Sequence, residues 1–197
     1  MESRFLQKLI LIGLLTGCNP PTEAPLSFDP GILQNGDLLY RYGNGVFSKY
    51  FRMVSDSVQL YSHVGFVHIT ADSIHVIHSE ASELTFVGFV RREPLDVFIA
   101  DIGAWGVYRL QAPDSIRDRV VDQALSYHED KVPFDMDFSV ENDDEIYCTE
   151  LIGLCMNAVM GEEFMPPATK MMGKWGYSVD DTFLVDGITK VASSEED

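Results

Sequence analysis

Hydrophobic positions follow two rhythms along this chain. Short runs rich in β-branched and aromatic residues dominate the first half, and apolar residues spaced three and four apart dominate later. Asp37-Leu38-Leu39-Tyr40, opened by Gly36, reads as a short strand. Residues 46–60 have room for a short helix. Val64 to Ile69 and Ile74 to Ile77 are strand-like and separated by Thr70-Ala71-Asp72-Ser73, which is a hairpin signal. With the loop centred between Ala71 and Asp72, Ile69 faces Ile74, His68 faces His75, and His63 faces Glu80. Trp105 to Leu110 predicts another strand. From Asp114 to Tyr127, the residues Ile116, Val120, Val121, Ala124 and Tyr127 recur at helical spacing, with Asp114 or Ser115 as N-cap. A second helix is predicted from Cys148 to Met160, with Leu151, Leu154, Cys155 and Ala158 on its apolar face and Gly161 as C-cap. This order predicts an α+β domain: a small antiparallel sheet packed with helices.

The two ends break the rhythm. Arg4 and Lys8 precede a short apolar run from Leu9 to Leu15, the pattern of a secretory signal over residues 1–17. The run falls short of the roughly 20 apolar residues that span a bilayer. Leu15-Thr16-Gly17-Cys18 resembles a bacterial lipobox, which implies that Cys18 is acylated and that the mature chain starts there. Asn19, rather than aspartate, follows it, which points to the outer membrane. Residues 18–34 are proline-rich and read as a tether, residues 35–192 as one domain, and residues 193–197 as a disordered acidic tail.

Charge narrows the partners. The 197 residues carry a net charge of −17, which repels phosphate backbones and excludes nucleic acid as an expected partner. It also opposes electrostatic docking on anionic lipid, so membrane attachment rests on the acyl chains of Cys18.

Two cysteines remain for chemistry. In one helix, Cys148 and Cys155 would have Cα atoms about 10 Å apart. That is too far for a disulfide, so both are expected free. Cys155 falls on the apolar face and reads as core. Cys148 stands at the helix N-terminus, where the dipole favours a thiolate. The acidic neighbours Asp143, Asp144, Glu145 and Glu150 oppose that ionisation. Opposed side chains on a hairpin have Cβ atoms about 5 Å apart, so Glu80 can hold one nitrogen of His63 and leave the other as a base. No cofactor and no metal is expected. His63 and His68 point to opposite faces of their strand, and Asp135-Met136-Asp137 lacks the glycine and glutamate that complete a calcium loop. The segment 162–177, rich in Met and aromatic residues, reads equally as core or as the lining of a greasy pocket.

Gly36-Asp37-Leu38-Leu39-Tyr40, Tyr61-Ser62-His63-Val64-Gly65, Glu80-Ala81, Pro133-Phe134-Asp135 and Tyr147-Cys148-Thr149-Glu150-Leu151 occur in this order. Together they resemble the YaeF/YiiX group of circularly permuted papain-like hydrolases of the NlpC type. The resemblance implies a circularly permuted papain-like α+β fold in which the histidine precedes the cysteine. It also implies a Cys148–His63–Glu80 triad that cleaves an amide or related acyl bond of a peptide or lipid-like substrate in the cell envelope. Acyl transfer and a binding lipoprotein of weak or no activity are the alternative expectations. The group usually carries tyrosine where this chain has Phe134. Phe134 and Tyr147 are therefore the residues expected beside the oxyanion or pocket, with the Cys148 backbone N–H as a donor.

Overall fold

The computed structural model describes residues 28–195 except 44, 56, 101 and 143, together with all but the side chain of Val46. The elements run β1 (Leu38–Tyr42), α1 (Val46–Val54), β2 (His63–Ile69), β3 (Ile74–Ala81), β4 (Gly88–Pro94), α2 (Leu95–Phe98), β5 (Ala104–Leu110), α3 (Asp114–Glu129), α4 (Cys148–Met160), β6 (Thr169–Met171), β7 (Lys174–Gly176) and β8 (Ile188–Ser193). Six strands form one antiparallel sheet in the order β4-β3-β2-β1-β5-β8, and β6 and β7 make a separate hairpin.

Strand alternation builds two cores. Leu38, Tyr40, Phe66 and Ile77 face Val120, Ala124, Leu151, Ile152 and Cys155 of α3 and α4. Leu39, Val67, Val76, Trp105 and Val107 line the other face and are covered by Phe98 of α2 and by Leu33. The β2–β3 register is the one predicted: Ile69 pairs with Ile74, His68 with His75, and Phe66 with Ile77. α4 keeps its predicted bounds and ends at Gly161 with φ +114°. The cap predicted at Asp114 or Ser115 is instead Pro113, whose fixed φ leads the chain into α3.

The Gly36-Asp37 step has a structural explanation. Gly36 has φ +81°, and a Cβ there would lie 2.8 Å from the Arg117 Cβ. Asp37 is fully buried, and its two oxygens accept from Arg109 Nε and Nη2, each at 2.7 Å, and from the Gln34 N–H at 2.7 Å. Removing one partner of a buried ion pair leaves the other charge uncompensated. Asp37→Ala is therefore expected to lower unfolding stability by about 3–5 kcal/mol in urea denaturation. A loss below about 1 kcal/mol would show that this pair does not hold β1 to β5.

Both expected terminal segments turn out to be partly built into the fold. The tether expected through residue 34 is packed from residue 28. The Phe28 ring meets Trp105 edge-on at 4.8 Å, and Leu33 is buried. The tail expected from residue 193 begins inside β8, and the Ser194 N–H donates to the Trp105 carbonyl at 2.9 Å. Both segments are polar or proline-rich in sequence, but Trp105 at the start of β5 supplies partners for them. Residues 196–197, the signal segment and Cys18 lie outside the described residues.

Candidate active site

The site forms at one end of the sheet, where β1, β2 and β3 meet the start of α4. Arg41, Ser62, His63, Glu80, Phe134 and Cys148 line a common cavity of about 330 Å³. Phe47 and Phe51 of α1 add an apolar wall. The turn after Phe134 depends on Asp135, which is buried and accepts from the N–H groups of Asp137 at 2.6 Å and Ser139 at 2.8 Å. Asp135 thus organises a loop by side-chain capping of backbone donors, the structural use of the Pro133-Phe134-Asp135 motif.

Cys148 is the first residue of α4 and is 1% exposed. Cys155 follows two turns later on the same helix, fully buried, and both thiols are free as expected. The Glu150 carboxylate accepts from the Tyr147 N–H at 3.3 Å and ties down the helix entry. Thr149 donates to the Tyr177 carbonyl at 2.7 Å.

The expectation of a lowered thiol pKa is reversed. Burial pushes the Cys148 thiol up to about 12. The N–H groups of Thr149, Cys148 and Val64 favour the thiolate, the Glu80 carboxylate opposes it, and desolvation outweighs the helix start. The alkylation rate of Cys148 is therefore expected to climb about tenfold per pH unit from pH 7 to 9 with no plateau, since the thiolate is the reacting form. A plateau below pH 8 in mapped iodoacetamide labelling would contradict that ground state.

His63 opens β2 and pairs across β1 with Arg41. Burial first, then the Arg41, His78 and Arg91 charges, hold its pKa well below 6.5. The imidazole is neutral at pH 7. Among the described residues no hydrogen bond joins it to Cys148. The two side chains share the cavity, and in substrate-free sites such bonds are commonly loose.

The hydrogen-bond partner of His63 differs from the expected one. His63 Nε2 lies 2.8 Å from His78 Nδ1, and the two rings meet edge-on at 5.0 Å. Glu80 lines the cavity but pairs with Arg41, and Arg91 Nη1 lies 3.8 Å from its second oxygen. The expected hairpin register is correct as far as the ladder runs, from Ile69–Ile74 to Phe66–Ile77. What the hairpin alone does not reveal is Arg41, directly opposite His63 on β1, which takes the carboxylate. His78, one diagonal step away, then meets the imidazole. The signal available in the sequence was the alternation of Val76, His78 and Glu80 along β3, which puts His78 on the same face as Glu80.

Two further expectations resolve. Tyr147 does not line the cavity. Its ring is buried, and its hydroxyl accepts from the Tyr177 N–H at 2.7 Å, so it joins α4 to the chain after β7. From the segment 162–177, Met165, Met171 and Tyr177 are core, and none of its residues lines the cavity.

Among the described residues, one group of donors is close enough together to consider for a metal. Single ligand atoms of His63, His78 and Glu80 lie within 4.8 Å of one another. Two imidazole nitrogens bound tetrahedrally at about 2.0–2.1 Å would sit roughly 3.3 Å apart. At 2.8 Å the two rings share a hydrogen instead, and Arg41 already neutralises Glu80. The donors fit a hydrogen-bonded relay and not a metal in this arrangement.

Comparison with known proteins now bears on the site. Residues 32–195 match the family described as permuted papain-like amidase enzyme, YaeF/YiiX, C92 family. The chain belongs to this family. Permutation accounts for a histidine on β2 that precedes a cysteine far downstream on α4. A crystal structure of metalloprotein YiiX from Escherichia coli O157:H7 shares the fold with a TM-score of 0.66 and 20% identity, covering 81% of this chain and 96% of that one. A search of the curated proteins finds no match. Family membership makes this permuted papain-like protein amidase-like, and its α+β fold is the permuted papain-like one.

Proposed function

We propose that this amidase-like hydrolase cleaves an amide or related acyl bond with Cys148 as nucleophile and His63 as base. The observation that carries the reading is the placement of both side chains on one cavity, with the thiol at the first turn of a helix. The ground state is a neutral thiol–imidazole pair, so proton transfer accompanies attack. His63 Nδ1 takes the thiol proton as Sγ bonds to the carbonyl carbon. The carbonyl electrons move to oxygen, beside the Cys148 N–H. Phe134 offers no hydroxyl there, so the donors are backbone groups. Collapse expels the amine, which leaves with the proton from His63. Water, activated by the same imidazole, then hydrolyses the thioester.

Glu80 belongs to the site as the partner of Arg41, and His78 holds the second nitrogen of His63. No step is routed through a metal, because the donors present here do not fit one. The aromatic wall of Phe47, Phe51 and Phe134 suits an apolar acyl group, which favours acyl transfer as the second reading. The proposal extends to an envelope lipoprotein anchored through acylated Cys18, supported by Leu15-Thr16-Gly17-Cys18. The test is product analysis by mass spectrometry. Purified full chain is incubated with short peptide amides and acyl esters, with and without an added amine. Free acid as the product in both arms supports hydrolysis, and acylated amine supports transfer. No conversion of any substrate would contradict both.

A further inference from the structure

β4 contributes a charged pair that the reading above does not use. His78 is fully buried, and its Nε2 lies 3.1 Å from Glu93 Oε2. The other oxygen, Oε1, accepts from Arg91 Nη1 at 2.8 Å. In the β3–β4 ladder Arg91 pairs with His78 and Glu93 with Val76, so the carboxylate reaches His78 diagonally. Arg91 fixes one carboxylate oxygen and leaves the other for the ring. A line of three hydrogen bonds thus runs Arg91–Glu93–His78–His63.

We infer that Glu93 is a positioning residue for the His63 base, acting through His78. The inference rests on the proposed role of His63, and its logic is one of tautomers. An ionised carboxylate only accepts, so His78 Nε2 must carry hydrogen and donate to Glu93. His78 Nδ1 is then an acceptor. His63 Nε2 must in turn carry hydrogen, which leaves His63 Nδ1 bare as the basic nitrogen. One carboxylate therefore sets two rings in the form that a base needs. When His63 gains the thiol proton, the new positive charge is two hydrogen bonds from Glu93, which steadies the imidazolium. Charge states agree with this order. The His78 hydrogen bond, with Arg91 beside it, holds Glu93 down at about 2, while burial keeps His78 neutral at pH 7.

Two readouts test it. In the native chain, nitrogen-15 imidazole spectra are expected to show His63 and His78 both as the Nε2–H form at pH 7. Glu93→Ala is expected to redistribute that population. A His63 ring in the Nδ1–H form overturns the relay whether or not the chain turns over substrate, so this result is separate from the fate of the hydrolase reading. In kinetics on the amide that the product analysis identifies, Glu93→Ala is expected to lower kcat about 10–100-fold with KM within about twofold. The acid limb of kcat/KM should also move to lower pH, because the imidazolium has lost support. Glu93→Gln keeps the shape and an acceptor but not the charge. It is expected to keep the tautomers and still move the acid limb. A folded Glu93→Ala chain with native spectra, native kcat and an unmoved acid limb overturns the inference.

Discussion

Cys148→Ala is expected to lower kcat/KM for amide hydrolysis by about 10⁴–10⁶-fold, because the bond-forming atom is removed and only binding and oxyanion contacts remain. Cys148 lies at the wall of the cavity, so the change trims one sulfur from the start of α4 and leaves the apolar face of that helix intact. Folding is checked by thermal melting. Cys155→Ala is the companion variant. Cys155 lies in the core beneath the sheet and touches no cavity wall, so its activity should stay within about twofold of native. Equal losses in the two variants would mean that the effect is structural, and a Cys148→Ala chain at native rate would end the nucleophile reading.

His63→Ala has the second largest expected effect, about 10²–10⁴-fold in kcat/KM. The neutral ground state makes this base more necessary. A thiol with a pKa of about 12 supplies almost no thiolate at pH 7 by itself. The pH dependence follows from the shift at His63. Its folded pKa is below 6.5, so the reactive neutral form persists across neutral pH and is lost only as pH falls through that depressed value. The native profile should therefore show an acid limb below pH 6.5 and a plateau above it. His63→Ala should lose that limb and gain rate steadily with pH as hydroxide and thiolate take over. A native profile with its limb at or above pH 7 would contradict a buried neutral base.

The sequence revealed much of this arrangement and missed a specific part. Hairpin register was legible because β2 and β3 are joined by four residues with turn chemistry, and α4 because its apolar spacing and Gly161 agree. β4 and β8 were not legible. Gly88–Pro94 holds Arg91, Arg92 and Glu93 in an edge strand, and their charges obscure the alternation. Missing β4 also hid Glu93, so the relay beyond His78 had no visible origin. Both the hairpin pattern and the family resemblance point to Glu80 as the partner of His63. The neighbour on the other side, Arg41, comes from a strand some twenty residues earlier, and local pattern carries no information about that contact. The direction of the thiol pKa is hidden from the sequence for a related reason. A helix terminus is visible in sequence, whereas complete burial at that terminus is a property of the packed fold.

The proposed mechanism requires Cys148 to form the covalent bond to the acyl group. The direct measurement is acid-quench trapping with a p-nitrophenyl ester, followed by peptide mapping of the intact and acylated chain. One added acyl mass is expected on the peptide that contains Cys148, absent from Cys148→Ala and slowed in His63→Ala. Turnover with the acyl mass on Cys155, or with none on any cysteine, would contradict it.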